Sequence, residues 1–221
     1  MILVGEELFN AYFCTRKYNN PPRLALVVTG RPKLFDEHEV IDRAQRVFWR
    51  RGYTAASTEE LLAAMGIGKG SFYLAFPGGK KELFAKTMQQ FHRDGFRQLE
   101  QLVAASAQPV EVLKDYFRRI ATAAPEAHEK GCFLGNAVME MTSLDPQLHQ
   151  AAGHLLKQLE ALFFTVIRQA QASGQLTNPT DARLLARHLL TLWNGLSITR
   201  RLYPDNAQLR ELIDLQLAVL S

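Results

Sequence analysis

A chain of 221 residues is long enough to bury a substantial core in one or two domains. Its composition, 47% apolar and 22% charged, is that of an ordinary globular protein, and with only Cys14 and Cys132 present no disulfide framework is implied. No run approaches the roughly 20 apolar residues that span a bilayer. The opening MILVGEEL lacks the basic start of a secretory signal, so the expected compartment is the reducing cytoplasm, with no membrane partner.

Residues 1–30 do not fit the rest of the chain. Asn19-Asn20-Pro21-Pro22 breaks any helix, and the stretch reads as a poorly ordered extension. Arg31 and Lys33, just before the first helix, are the better candidates for an arm touching nucleic acid. That helix is expected from about Asp36 to Arg51, with Val40, Ile41, Ala44, Val47 and Phe48 recurring at helical spacing and Gly52 ending it.

Residues 52–84, GYTAASTEELLAAMGIGKGSFYLAFPGGKKELF, then organise the chain. Ser57 followed by Glu60 is a capping-box pattern, and Leu61, Leu62 and Met65 give a short apolar face before Gly66. Ile67 is expected to pack inward, and a second short helix carries Lys69, Gly70, Ser71 and Tyr73. Two short helices joined by a glycine-containing turn form a helix-turn-helix. Lys69, Ser71 and Tyr73 are donors suited to phosphates and base edges, Gly70 leaves room for close backbone approach, and the Ser57–Thr58 helix start can hold phosphate. Residues 31–86 hold ten Lys and Arg against seven Asp and Glu, while residues 87–221 balance thirteen against thirteen. The basic excess therefore sits with the helix-turn-helix, as binding to DNA requires.

Phe48, Gly52-Tyr53, Ser57, Leu61, Gly66-Ile67, Lys69-Gly70-Ser71, Tyr73, Phe76 and Lys80 with Leu83 resemble the N-terminal domain of the tetracycline-repressor (TetR) family, over roughly residues 36–86. The chain departs from the family at Ala56 and Gly68, where Ser or Thr is common. One extra residue also lies in Phe76-Pro77-Gly78-Gly79-Lys80. The resemblance implies that Lys80 contacts the DNA backbone from the start of the connecting helix.

From Lys80 to about Ala107 one long helix leads onward, marked by Leu83, Phe84, Met88, Phe91, Phe96, Leu99 and Leu102. Further helices are expected over 109–123, from Cys132 to about Thr142 after a break at Pro125, from Asp145-Pro146 to about Ser173, from Asn178-Pro179 to about Leu202, and from Pro204-Asp205 onward. About nine helices and no strand-period segment make an all-α architecture. It divides into an extension (1–30), a helix-turn-helix domain (31–86) and a helical regulatory and dimerisation domain (87–221).

Two of the later helices look like an interface. Leu155, Leu159, Leu162, Phe163, Val166 and Ile167 line one, and Leu185, Leu189, Leu192, Trp193 and Leu196 the other; Gly195 suggests close packing. Both stripes are also compatible with monomer core. The resemblance implies a homodimer joined by the two C-terminal helices, matching a roughly palindromic operator. A small-molecule inducer is expected among the helices of 87–170, bordered by Phe91, Tyr116, Phe117, Phe133, Met139 and Phe164.

Gly131-Cys132 at a helix start resembles a subgroup of the family in which some members respond to electrophiles. A thiol beside Lys130 at a helix N-terminus is expected to have a lowered pKa. Free cysteine is, however, among the most buried residue types and often simply packs. His149 and His154 lie five apart, so no metal site is expected, and no nucleotide loop, nucleophile elbow or cofactor motif is found. The expected function is a dimeric repressor released from its operator by a ligand. An electrophile-responsive repressor using Cys132 is one alternative, and an all-α enzyme or small-molecule binding protein with an incidental helix-turn-helix is another.

Overall fold

Side-chain caps set where the helices begin. In the computed structural model, which describes residues 35–221, the Asp36 carboxylate accepts from the N–H groups of His38 and Glu39 and opens α1 (Glu37–Ala55). Ser57 Oγ accepts from Glu60 N at 3.0 Å and opens α2 (Thr58–Met65). Next come α3 (Lys69–Ala75), α4 (Gly79–Ala105) and α5 (Pro109–Arg118), the last continued by a 3-10 turn over Arg119–Thr122. The chain goes on through α6 (Pro125–Lys130), α7 (Phe133–Met141), α8 (Pro146–Ser173), α9 (Ala182–Leu202) and α10 (Asn206–Leu217). Asp145, Asp181 and Asp205 cap the last three, each accepting backbone N–H groups that have no partner inside the helix. The described residues contain no strand, and the expected all-α class holds.

The extension at 1–30, Cys14, and the arm candidates Arg31 and Lys33 lie outside the described residues. Gly52, at φ 78° and ψ 172°, breaks the helical geometry at the expected end of the first helix, and one further turn follows it. Two boundaries differ from expectation. The expected break after Pro125 is the short helix α6. Helix α9 starts after Asp181, not at Asn178-Pro179. The Asn178 amide is held in the loop, donating to Val219 O at 2.8 Å while Asn178 Oδ1 accepts from Thr180 N at 2.9 Å.

The chain divides into two compact units whose boundary falls inside α4, between Gln90 and Phe91. In the first, Val40, Ile41, Ala44, Val47 and Phe48 of α1 share a core with Leu61, Met65, Phe72, Phe76, Leu83, Phe84 and Met88. Phe84 packs edge-on to Phe48 at 4.9 Å and lies 5.0 Å from Tyr53. Around this core Lys86 bridges Glu37 (3.2 Å) and Glu82 (3.3 Å), and Gln90 Nε2 donates to His38 O.

In the second unit α8 and α9 run antiparallel, since Glu160 meets Arg187 at 3.3 Å while Phe164, further along α8, meets Arg183, earlier in α9. Phe117, Phe163 and Trp193 form an aromatic centre, with Tyr116 stacked on Trp193 at 5.0 Å. Truncating a fully buried Phe163 to alanine would cost about 3–5 kcal/mol. Two histidines, His92 and His128, are buried here, and burial pushes both below the ordinary histidine value.

Two predictions follow from these environments. Gly66 closes α2 at φ 69°, and a Cβ there would meet Arg43 Nη1 at 3.3 Å; a Cβ on Gly70 inside α3 would meet nothing within 4 Å. Gly66→Ala should therefore lower stability by about 1–2 kcal/mol, and Gly70→Ala should raise it by about 0.5–1 kcal/mol, seen as opposite shifts of the urea midpoint. Because His92 and His128 bind protons more weakly folded than unfolded, their contribution is complete above about pH 6.5 and is lost as pH falls from there towards their folded values. The urea midpoint should drop between about pH 7.5 and 5.5, and the double variant His92→Gln/His128→Gln should flatten that slope.

Candidate nucleic-acid interface

The helix-turn-helix is built from its buried side outward. Leu61 and Met65 hold α2, Phe72 and Phe76 hold α3, and all four are buried. The turn between them is fixed by two bonds to one carbonyl, from Gly66 N at 3.0 Å and Ile67 N at 3.4 Å to Leu62 O. This satisfies an acceptor at the end of α2 and turns the chain into α3. Ile67 is only half-buried, short of the inward packing expected of it. Gly68 begins α3 without a side-chain cap, and Ala56, where a hydroxyl would be usual, is buried as part of the core.

What α3 turns outward is a mixed surface. Lys69 and Gly70 are exposed, Ser71 is partly so, and Tyr73 is 47% exposed with its ring against Phe72 and beside Gly79. Leu74 is 85% exposed, a functional candidate that no donor or charge marks in the sequence. Ser57 and Thr58 sit at the start of α2, the first exposed and the second half-buried. The Ser57 oxygen is used as the cap acceptor, which leaves its O–H able to donate. Only half of the capping box forms, because the Glu60 carboxylate is drawn to Arg51 at 3.4 Å and Arg50 at 4.0 Å. Arg43 and Arg46 pair along α1 with Glu39 and Asp42.

Lys80 lies one turn past Phe76. Its Nζ is 3.4 Å from Thr54 O and 4.7 Å from the Tyr53 ring centroid, so the ammonium is anchored to the turn that follows Gly52. The extra residue before it is absorbed in the Pro77-Gly78-Gly79 turn, where Gly78 N donates to Glu82 Oε2 at 2.8 Å and Gly79 takes φ 62°.

The second unit corrects several expectations. Phe91, Tyr116, Phe117 and Phe133 are buried and pack on core neighbours, Phe91 edge-on to Phe133 at 5.5 Å. Met139 is 77% exposed, because Phe133, Leu134, Ala137 and Met141 already define the inner side of α7. Phe164 faces a surface cleft of about 550 Å³, under the guanidinium groups of Arg168 (5.4 Å) and Arg183 (4.7 Å). The six expected pocket residues therefore do not converge on one cavity.

Of the expected interface residues, Leu159, Phe163, Val166, Leu185, Leu189, Trp193 and Leu196 are buried within the single chain, and Leu155 and Leu162 are half-buried. Those stripes are core. The other side of α9 exposes Leu184, Thr191, Gly195, Ile198 and Leu202 in one row, and a Cβ on Gly195 would meet nothing within 4 Å. The close packing expected at Gly195 is absent inside the chain.

Cys132 is the N-cap of α7. Its Sγ accepts from Gly135 N and Trp193 Nε1, both at 3.3 Å. The thiol is buried, and burial pushes its pKa up despite those donors and nearby Arg200, the reverse of the expected lowering. The preceding Gly131 (φ 65°) is locked from α9: Arg201 Nη2 donates to Lys130 O at 2.8 Å and to Asn136 Oδ1 at 3.2 Å. A Cβ on Gly131 would collide with Arg201 and with Ser197 O. The described residues hold no cluster of three metal-ligating side chains and no helix long and apolar enough to cross a membrane.

Residues 40–87 match the family described as bacterial regulatory proteins, tetR family, and residues 109–215 match the tetracyclin repressor-like C-terminal domain. The repressor ComR of Escherichia coli is 30% identical over 192 residues, covering 84% of this chain and 88% of that protein. The uncharacterised regulator YezE of Bacillus subtilis is 29% identical over 193 residues, covering 86% and 99%. Among solved structures, a cysteine mutant of the TetR-family regulator CifR, bound to 26-bp operator DNA, superposes with a TM-score of 0.72 at 26% identity, covering 85% of this chain and 98% of that one. With residues 40–87 and 109–215 matched by the family and a relative 30% identical over 84% of the chain, the protein belongs to the TetR family and is a sequence-specific DNA-binding transcriptional regulator.

Proposed function

We propose that the protein is a homodimeric repressor that leaves a roughly palindromic operator when a small molecule binds its second unit. The observation that carries the reading is α3 itself, a short helix held by two buried phenylalanines with Lys69, Gly70, Ser71 and Tyr73 towards solvent. In this reading Lys69, Ser71 and Tyr73 contact bases and phosphates, while Ser57, Thr58 and Lys80 hold the backbone. An ammonium has three donors, so Lys80 can keep the Thr54 carbonyl and still reach a phosphate. Repression is supported by the names of relatives such as ComR, and operator binding by the CifR complex.

Dimerisation is assigned to the exposed row on α9 rather than to the buried stripes. Leu184, Thr191, Gly195, Ile198 and Leu202 follow a seam of alternating three- and four-residue steps once His188 is included. Gly195 leaves space for a partner backbone. Release requires the ligand to favour one conformer over another, since equal affinity for both shifts nothing. Sensing by Cys132 has less support, because a buried thiol with a raised pKa offers little thiolate.

Selection from a random DNA pool should enrich a palindrome with the wild-type protein and lose it with Tyr73→Ala. Affinity for the selected site should fall roughly tenfold or more between 50 and 200 mM salt. A salt-insensitive protein that enriches nothing would refute the reading. Gly195→Arg, at a position where an added Cβ meets nothing within 4 Å, should shift sedimentation from dimer to monomer without lowering helical content; an unchanged dimer would place the interface elsewhere.

A further inference from the structure

Leu74 stands where α3 reaches furthest from its own core. At about 100° of rotation per residue, Phe72 and Phe76 point into the first unit and Leu74, midway between them, points directly away. Its flanking positions are Gly70 and Ser71, and no atom lies within 4 Å of where a Gly70 Cβ would be. Lys69 and Tyr73 lie round the side of the helix, nearer the phenylalanines in angle. At 85%, Leu74 is the most exposed large apolar side chain among the described residues. If this helix enters the major groove, the group that leads is an isobutyl chain with nothing tall beside it.

We propose that Leu74 is a specificity residue that reads the 5-methyl group of a thymine in each operator half-site. The proposal rests on the DNA-binding role of α3 given above. An isobutyl group can neither donate nor accept a hydrogen bond, so of the features on base edges in the major groove only the thymine C5-methyl suits it. The low surface formed by Gly70 and Ser71 lets the helix approach closely enough for that contact. Lys69, Ser71 and Tyr73 then orient the helix, and Leu74 selects the T·A pair at the position it meets.

The test uses the full chain and the operator obtained by selection. Each thymine of the half-site is replaced in turn by uracil, which removes the methyl and keeps every hydrogen-bonding group. One symmetric position should weaken wild-type binding by about fourfold per half-site, the effect of one buried methyl. Leu74→Ala should bind the thymine operator at that weakened level and be indifferent to uracil there, and Leu74→Asn should change the base pair selected at that position only. Circular dichroism should show both variants folded, since the side chain packs on little of its own unit. A wild type that tolerates uracil everywhere, or a Leu74→Ala variant that keeps the uracil penalty, overturns the proposal and leaves the regulator standing. Failure of the wild type to bind any DNA overturns both.

Discussion

Two phenylalanines four residues apart decide what α3 can offer. Phe72 and Phe76 are both fully buried, and anchoring one side of so short a helix leaves its rotation no freedom. Everything outward follows from that register: the flank that carries Lys69 and Tyr73, the low shelf of Gly70 and Ser71, and the leucine at the crest. A seven-residue helix would not persist alone in water, so the same burial that orients α3 also makes it a helix. Phe48 and Phe84, with Tyr53 alongside, are the floor on which this depends.

Much of this was legible in the sequence because its signals are local. Ser57 and Gly66 bracket α2 by cap chemistry that acts within four residues, and Asp36, Asp145 and Asp205 do the same elsewhere. The all-α class and the placement of the helix-turn-helix rest on such signals. What sequence could not resolve is which of two apolar sides meets what. Leu159 and Leu185 belong to core stripes, while Leu184 and Ile198 lie on the open side of the same helix pair, and all recur at helical spacing. Periodicity counts faces but does not say which one its own chain will cover. Met139 was misplaced for the same reason, sitting between two inward residues of α7.

Cys132 shows the other limit. Its position at a helix start beside a lysine argues for an acidic thiol, and the local geometry is as expected: the sulfur caps α7 and accepts from Gly135 N. The outcome is reversed by burial, which pushes the thiol's pKa up although Trp193, 61 residues away, donates to the sulfur and favours the thiolate. Leu74 carries no donor or charge, so nothing local in the sequence marks it as the crest of α3.

The lock at Gly131 links parts of the chain that are usually considered separately. Arg201 leaves α9 to fill the space that a side chain on Gly131 would take, and it holds the Lys130 carbonyl 71 residues upstream. Ile198 and Leu202, three residues before it and one after it in α9, are exposed on the seam proposed for the partner. The turn before α7 is thus a keyway for the far end of α9. Loss of the Arg201 guanidinium would therefore loosen the start of α7 and the end of α9 together, although 71 residues separate them.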